Sequence, residues 1–459
     1  MTQKAGIPPR TAGALEVQIR ESLVTRALVM PIQQFIHIQG VSSIVLLLAA
    51  IVALMWANSP WHESYHHVWD MELNLSRLNL PVHAWINDAL MAIFFFLVGM
   101  EIKHEIVHGE LSDLRRASLP IFAALGGMVV PALIYAGINF RQAGAHGWGI
   151  PMATDIAFSL GVLAMAKGIP AEVKVFLLSL AIADDIGAIA VIAIFYTETL
   201  RVNALVVGAL LLIILYLVHR VGIQHSMIYA VLGVLFWVAI LRSGVHATIA
   251  GVILGFMVPT SPRLSFEEFQ RIGTDVVRQY RKALGANDIA TANHALGILE
   301  QVVSATEAPS ERLTRKLNDW VSFLVLPLFA LANAGVEFST AGLGELLRSH
   351  VAWGVFFGLV VGKPLGIALF SWIAVKMGVA SLPHHVNWRM VTAVGMLAGI
   401  GFTVSIFISS LAFDDPVLLT DAKAAILGAS LVAGILGYLS LQRSVREAPQ
   451  PAVAEAAAE

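Results

Sequence analysis

The apolar stretch between residues 172 and 197 constrains the fold more than any other part of the chain. It is long enough to cross a bilayer as a helix, because about 20 residues at 1.5 Å each span the hydrocarbon core. Two adjacent carboxylates, Asp184 and Asp185, lie near its centre. An acidic residue at mid-membrane costs roughly 2.5 to 3.5 kcal/mol on insertion scales. The pair therefore requires a compensating charge, a water-filled cavity or a function.

The composition predicts an all-α membrane protein that crosses the bilayer many times. Of the 459 residues, 57% are hydrophobic and only 13% are charged, whereas about a quarter are charged in ordinary soluble domains. The formal net charge of -2 argues against nucleic-acid binding, which needs a basic surface. The chain has no cysteine, so disulfides, thiol catalysis and cysteine-ligated metal centres are excluded. No cofactor is expected.

Apolar runs predict twelve transmembrane helices within one domain, residues 40–442. We expect a cytoplasmic N-terminal segment over residues 1–39 and a disordered cytoplasmic tail over 443–459, where the sequence is of low complexity. The first 39 residues also include a short amphipathic stretch, which is either a membrane-surface segment or a plain linker. The predicted spans are 41–57, 84–102, 118–139, 150–166, 172–197, 203–219, 226–241, 245–259, 320–337, 351–375, 388–412 and 422–442.

Positive charge decides which way the predicted spans run. With twelve spans both termini lie on one side, and that side receives 22 of the 29 Lys and Arg residues. The other side receives six, and Lys363 lies inside a span. Because short loops rich in Lys and Arg stay inside the cell, both termini are predicted to be cytoplasmic.

Two of the predicted loops are longer than tight connections. The outer loop, residues 58–83, contains an alternating stretch from Val68 to Leu75 that predicts a strand able to pair with its copy in a second subunit. The inner loop, residues 260–319, carries two helical patterns of apolar residues. One pattern runs through Phe266, Phe269, Ile272 and Val276, and the other through Leu296, Leu299 and Val302.

Few charged residues lie within the predicted spans, and these are the candidate functional residues. Glu101 and Glu105 fall at a helix end, where water makes charge inexpensive. Lys363 is a natural counter-charge for one of the deeper acids, either in a purely structural ion pair or in a chemical role. Neighbours on a helix point 100° apart, so Asp184 and Asp185 cannot face the same point. The candidates are Asp88, Glu101, Glu105, Asp155, Asp184, Asp185 and Lys363.

The fourth and eleventh spans are interrupted in their middles. The fourth contains Thr154 and Asp155, and the eleventh contains Gly399 and Gly401. Each span is the second in a group of three, and the two groups run in opposite directions, which predicts inverted repeats with two broken helices crossing at mid-membrane. The alternative is that these small residues only pack helices together. A hydrated carboxylate pair nearby suits a hard monovalent cation or protons better than a transition metal.

Several strings of the sequence, spread over residues 40–442, closely resemble the NhaA-type bacterial sodium/proton antiporters. The strings are ALMAIFFFLVGMEIKHE (89–105), ATDIAFSLGVLA (153–164), LAIADDIGAIAVIAIFYT (180–197), SGVHATIAGVILGF (243–256), LPLFALANAGV (326–336), VGKPLGIALF (361–370) and GMLAGIGFTVSIFISSLAF (395–413). The resemblance implies electrogenic exchange of Na⁺ or Li⁺ for protons across the bacterial inner membrane. It also implies sodium and pH homeostasis, and no enzymatic activity.

The resemblance also implies roles for individual residues. Asp185 resembles the principal carboxylate that binds the cation and carries the proton, and Asp184 its neighbour, which pairs with Lys363. Asp155 shares in charge compensation. The remaining implied residues are Thr154 at the unwound centre of the fourth helix, Asp88 and Glu101 on the cytoplasmic approach, and His246 in a span associated with pH response.

Two further features of the family bear on this chain. A β-hairpin in the family's first outer loop mediates dimers, which implies a homodimer through residues 65–80. Family members often carry acidic and histidine residues before the ninth span, where this chain has Thr314 to Asn318 in the stretch LTRKLNDW. The family's usual cytoplasmic pH-sensing cluster is therefore altered here.

Two other functions compete with ion exchange. Sodium-coupled uptake of an organic anion would need a larger cavity with anion-binding donors, which the sequence does not show. An intramembrane aspartyl protease also needs two membrane carboxylates, but they must come from two helices, and the second usually lies in a Gly-x-Gly-Asp motif. That motif is absent around Asp155, Asp184 and Asp185.

Overall fold

The computed structural model describes residues 41–75, 78–197, 200–221, 226–262, 264–337 and 344–446. Those residues are almost entirely helical, and their two strands form one small hairpin. The predicted N-terminal segment, residues 1–39, lies outside the described residues. Of the predicted tail, 443–459, residues 443–446 belong to the helix Pro416–Arg446 and the rest lie outside the described residues.

Long apolar helices make this a multi-pass membrane protein. Within the described residues, six helices are long and apolar enough to cross a bilayer, and three bent helix pairs raise the number to nine. Two further apolar helices, Met227–Leu241 and Ala247–Met257, are shorter than a span requires. The predicted count of twelve is therefore confirmed only in part. The six long helices are Val82–Val107, Arg115–Ile138, Ala171–Phe195, Val202–Arg220, His350–Lys376 and Pro416–Arg446.

The fourth and eleventh predicted spans are broken helices, as their sequences indicate. In the fourth, a 3₁₀ helix, Ala143–Met152, meets the α-helix Ile156–Met165 (α5) at 47°. In the eleventh, Trp388–Ala398 (α15) meets Phe402–Ala412 (α16) at 49°. Three glycines and Pro151 in the 3₁₀ segment disfavour a regular α-helix. The inverted repeat remains a prediction.

The outer loop contains the predicted hairpin, but the strand begins later than the alternation indicates. Residues His62–Asp70 form a helix, and the antiparallel strands are Glu72–Leu75 (β1) and Leu78–Pro81 (β2). The prediction of a strand from Val68 was therefore wrong for its first residues. Tyr65 and Trp69, one helical turn apart, are both buried. That burial favours a helix over the short alternation that follows it.

Tertiary contacts explain why the segment before the hairpin is helical. The Tyr65 hydroxyl donates to the Leu331 carbonyl at 2.9 Å, and its ring packs edge-on against Trp56 at 5.5 Å. Asn58 donates to the Val336 carbonyl at 2.7 Å. These contacts tie the outer loop to the helix Leu326–Asn333 (α13), which is more than 260 residues away in sequence.

The inner loop forms the two helices predicted from its apolar patterns. Phe266–Gly285 (α10) and Ile289–Thr306 (α11) pack against each other, and Pro309–Trp320 (α12) follows. The first helix begins with a reciprocal capping box between Ser265 and Glu268. Hydrogen bonds from the backbone N–H and hydroxyl of Ser265 hold the pKa of the Glu268 carboxyl below its ordinary value.

One close helix–helix contact depends on glycine. Helix Leu114–Ile138 (α4) packs along His350–Lys376 (α14), and Gly126 faces Gly366 where they meet. A Cβ on either residue would overlap the partner's backbone carbonyl. Such small-residue contacts let helices approach closely within a membrane. This packing places Lys363, three residues before Gly366, deep in the bundle.

Candidate ion-binding site

The centre of the bundle holds a fully buried ion pair between Lys363 and Asp184. The side chains are 0% and 1% exposed, and Lys363 Nζ donates to Asp184 Oδ2. Thr154 joins both groups: its hydroxyl donates to Asp184 Oδ2 at 2.7 Å and accepts from Lys363 Nζ at 2.9 Å. A buried pair needs such additional hydrogen bonds to offset the loss of hydration.

Local helix geometry directs the Lys363 side chain toward Asp184. Residues Gly358–Gly362 form a π-helical turn within the helix His350–Lys376, and Pro364 follows Lys363. Proline lacks the N–H that continues the normal pattern, and π-turns occur frequently at functional sites. The resulting shift in helical phase turns Lys363 toward the helix Ala171–Phe195 (α6), which carries Asp184.

Asp155 ties the two helix breaks together. Its Oδ1 accepts from the Phe158 N–H at 3.0 Å and so caps α5. Its Oδ2 accepts from the Thr403 hydroxyl at 2.6 Å and from the Thr403 N–H at 3.1 Å. The Asp155 N–H in turn donates to the Ile400 carbonyl at 2.7 Å. The negative side chain therefore lies beside the N-termini of two half-helices, where the helix dipole favours it.

Further bonds hold the crossing of the two breaks. The Thr154 hydroxyl also lies 2.9 Å from the Ala398 carbonyl, an alternative acceptor for its single proton, and Ser159 donates to the Leu397 carbonyl at 2.9 Å. Ser405 donates to the Ile150 carbonyl at 2.8 Å. Side-chain hydroxyls thus satisfy backbone groups that the breaks release, as a low-dielectric interior requires.

Asp185 faces a different space from Asp184. It is 5% exposed and lines a cavity of about 700 Å³, whereas Asp184 does not line it. Glu101, Thr154 and Asp155 line the same cavity. Charges on Asp184, Glu101, Lys363 and Asp155 are close enough to act on Asp185. The cavity thus presents carboxylate and hydroxyl oxygens, the ligands that hard cations prefer.

The mouth of this cavity is strongly charged. Arg315 there pairs with Glu307, and Thr314 and Asn318 lie on the same helix, α12. The stretch that departs from the family pattern therefore forms part of the entrance. Charged and histidine side chains at the mouth are His104, Glu105, Lys174, Glu311, Arg315 and Asp319.

Two of the predicted site residues lie away from the cavity. Asp88 is 13 residues before Glu101 on the same helix, about 20 Å along its axis. The family resemblance implied that Asp88 and Glu101 both lie on the cytoplasmic approach to the site, but only Glu101 lines the cavity. His246 precedes the helix Ala247–Met257 (α9), and its ring Nε2 bonds the carbonyl of Tyr196, which follows the last residue of α6.

Thr403 and Lys174 are two further polar residues of the site that the sequence patterns did not single out. Lys174 lies eleven residues before Asp185, three helical turns, so the two share a face. Leu178 and Ile182 lie between them and also line the cavity. The spacing of eleven residues from Asp185 could therefore have indicated that Lys174 faces the same cavity. No local signal pairs Thr403 with Asp155, because 248 residues separate them.

Known proteins match this chain over most of its length. The profile of the family "Na+/H+ antiporter 1" matches residues 33–441. The chain belongs to this family. The antiporter is 45% identical over 425 residues to Na(+)/H(+) antiporter NhaA 2 of Syntrophotalea carbinolica, covering 90% of this chain and 96% of that protein. It is 43% identical to Na(+)/H(+) antiporter NhaA of Wolinella succinogenes, covering 88% and 91%.

Membership decides between the competing functions. The antiporter is a transporter and not an enzyme, so the intramembrane protease is ruled out. A further relative, Na(+)/H(+) antiporter NhaA 2 of Sorangium cellulosum, is 44% identical over 90% of both chains. Antiport, sodium transport and membrane-spanning helices are properties of the family as a whole.

Proposed function

We propose that the protein exchanges Na⁺ or Li⁺ for protons electrogenically, by alternating access to one carboxylate site. The observation that carries the proposal is the pair Asp184 and Asp185: one is neutralised by Lys363 inside the protein, and the other lines the open cavity. Na⁺ and H⁺ compete for Asp185, because protons must leave the carboxylate before it can bind a cation. This competition couples the two fluxes.

The surrounding residues support that site in distinct ways. Asp184 supplies a second carboxylate next to Asp185, and its Oδ1 accepts no hydrogen bond within the described residues. Lys363 and Asp155 compensate charge, and Thr154 contributes its hydroxyl. Glu101 lies on the path between the mouth and Asp185. Asp88 and His246 act from a distance, His246 through the end of the helix that carries both aspartates.

The topology we propose has twelve spans, with both termini in the cytoplasm of a bacterium and the domain at 40–442 in its inner membrane. The two short helices Met227–Leu241 and Ala247–Met257 count as spans in this scheme, and so does the predicted span 320–337, which contains the π-helical turn Val321–Val325 and the helix Leu326–Asn333. The broken helices belong to two inverted repeats whose breaks cross near mid-membrane, since the breaks bond to each other. The mouth of the cavity then opens to the cytoplasm, from which sodium is extruded.

Purified protein in sealed liposomes tests the exchange directly. A pH-sensitive dye inside vesicles with an imposed proton gradient should respond when Na⁺ or Li⁺ is added outside, and choline should give no response. A potential-sensitive dye should report charge movement in the same vesicles. Proton flux without charge movement would contradict electrogenic exchange, and absence of any Na⁺-dependent flux would contradict the proposed function.

The hairpin offers a separate prediction about assembly. We propose that the protein forms a homodimer through residues 65–80 and that the two strands supply the contact. Each strand of a two-stranded sheet has a free edge that can pair with another chain. Residues 65–70 are helical and pack on the body of the protein. The informative deletion is therefore Glu72–Pro81, bridged by a short Gly-Ser linker.

Deletion of the hairpin should shift the protein from dimer to monomer at low concentration in detergent and leave flux per subunit within about twofold. The residues of the ion site lie on other helices, so the deletion should not change ion binding or ion exchange. Mass photometry or crosslinking measures the dimer fraction. An unchanged dimer fraction would show that subunits associate elsewhere.

A further inference from the structure

A second cleft opens between helices Trp388–Ala398 (α15) and Pro416–Arg446 (α17). It has a volume of about 320 Å³ and shares no lining residue with the cavity that contains Asp185. Two arginines and three hydroxyl side chains line it, and no carboxylate of the described residues does. The lining residues are Arg389, Thr392, Ala393, Met396, Ser440, Arg443 and Ser444.

We propose that this cleft binds the phosphate group of an anionic phospholipid. Guanidinium groups bind phosphate oxygens through paired, charge-assisted hydrogen bonds. Arg389 lies in the first turn of an eleven-residue helix, where the helix dipole also favours an anion. Basic clefts between membrane helices are known to hold lipid headgroups.

The hydroxyls of the cleft differ in what they can donate. Thr392 donates to the Trp388 carbonyl at 3.0 Å, and Ser444 donates to the Ser440 carbonyl at 2.8 Å. Ser440 instead contacts the Met396 sulfur at 3.3 Å. A thioether is a weak acceptor, so Ser440 can turn its proton to a phosphate oxygen at little cost. We assign Ser440 as the neutral donor that joins the two arginines.

An apolar strip leading to the cleft identifies the ligand as a lipid and not as free phosphate. Leu431, Ile435 and Leu439 recur every four residues on the last helix and are 64%, 52% and 47% exposed. Arg443 continues this series by one more helical turn. An acyl chain lying along the strip would therefore place its headgroup at Arg443.

The cleft lies at the same end of the bundle as the mouth of the ion cavity. Val445, just beyond it, packs beside Gly168 in the connection that leads into the helix bearing Lys174. Trp388 is partly exposed at the start of the other helix, as is common at a membrane–water interface. With the proposed orientation, the lipid belongs to the cytoplasmic leaflet.

Thermal melting in a neutral detergent with added ligand tests the site. Phosphatidylglycerol should raise the melting temperature, whereas phosphatidylcholine and inorganic phosphate at matched concentration should not. The double variant Arg389→Gln/Arg443→Gln should need at least tenfold more phosphatidylglycerol for the same shift. Arg446→Gln is the matched control, since it removes the same charge from the same helix end outside the cleft, and it should stay within twofold of the wild type.

Milder variants separate the lipid contacts from folding. Ser440→Ala should weaken the response to phosphatidylglycerol severalfold without changing the melting temperature in its absence, and Leu439→Ser should weaken it by removing part of the strip. An equal shift with inorganic phosphate would overturn the assignment to lipid. A phosphatidylglycerol response that survives in the double variant, or falls equally in Arg446→Gln, would overturn the site itself. None of these outcomes depends on transport.

Discussion

Replacing Asp185 by Asn is expected to abolish Na⁺-driven proton movement while leaving the protein folded. The amide keeps the shape of the carboxyl group, but it cannot exchange a proton and it binds a cation only weakly. Within the described residues, Asp185 makes no ion pair that the substitution would break, since Lys363 bonds Asp184. Flux in liposomes should fall to that of empty vesicles at every pH, and the melting temperature should not fall.

Two controls make this result specific. Asp275→Asn removes the same charge from the exposed helix α10 and should transport like the wild type. Asp184→Asn should also stop transport, but it leaves the ammonium of Lys363 without its carboxylate and should lower the melting temperature. Wild-type flux in Asp185→Asn would place the site elsewhere in the protein.

Replacing Lys363 by Ala is expected to destabilise the protein by about 3 to 5 kcal/mol, the usual cost of leaving one member of a buried ion pair unpaired. Lys363→Arg keeps the positive charge and should be more stable than Lys363→Ala. Arginine also separates a structural from a chemical role, because its guanidinium does not lose a proton in a protein. We expect a mainly structural role for Lys363, and the Lys363→Arg variant should therefore retain Na⁺-driven current.

A double substitution tests whether the instability comes from the unpaired charge. Lys363→Met/Asp184→Asn removes both charges and should be more stable than Lys363→Met alone, because a neutral pair carries no uncompensated carboxylate. Melting temperature and Na⁺-driven current are measured for each variant in the same lipid. A Lys363→Arg variant as stable as the wild type but electrically silent would show that Lys363 itself carries a proton.

Much of the ion site could be predicted because charge inside an apolar helix is costly and therefore conspicuous. Asp155, Asp184, Asp185 and Lys363 stand out in the sequence for that reason. Helical geometry also establishes that the adjacent aspartates point in different directions. Helical geometry does not show which of the two aspartates contacts Lys363. That depends on how two helices pack against each other, and Asp184 and Lys363 are 179 residues apart in sequence.

The outer loop shows where local pattern fails. Alternation from Val68 to Leu75 predicts a strand, but Tyr65 and Trp69 are buried, and the Tyr65 hydroxyl bonds the distant helix α13, so the first part is held as a helix. A short alternating stretch stabilises a strand only weakly, and the burial of two large aromatic side chains stabilises the helix more. The hairpin then begins only at Glu72.

The sequence by itself determined the class of the protein, the positions of its helix breaks and the carboxylates that needed an explanation. These follow from the length of apolar runs and from the local effects of Gly, Pro and buried charge. The tertiary structure shows the bond between Asp184 and Lys363 that the family resemblance implied, and it alone decided that Asp155 bonds Thr403 across the crossing breaks and that Asp185 faces the cavity. Those contacts join residues far apart in the chain, and the rotation of each helix about its axis is set by packing against its neighbours, which no local pattern encodes.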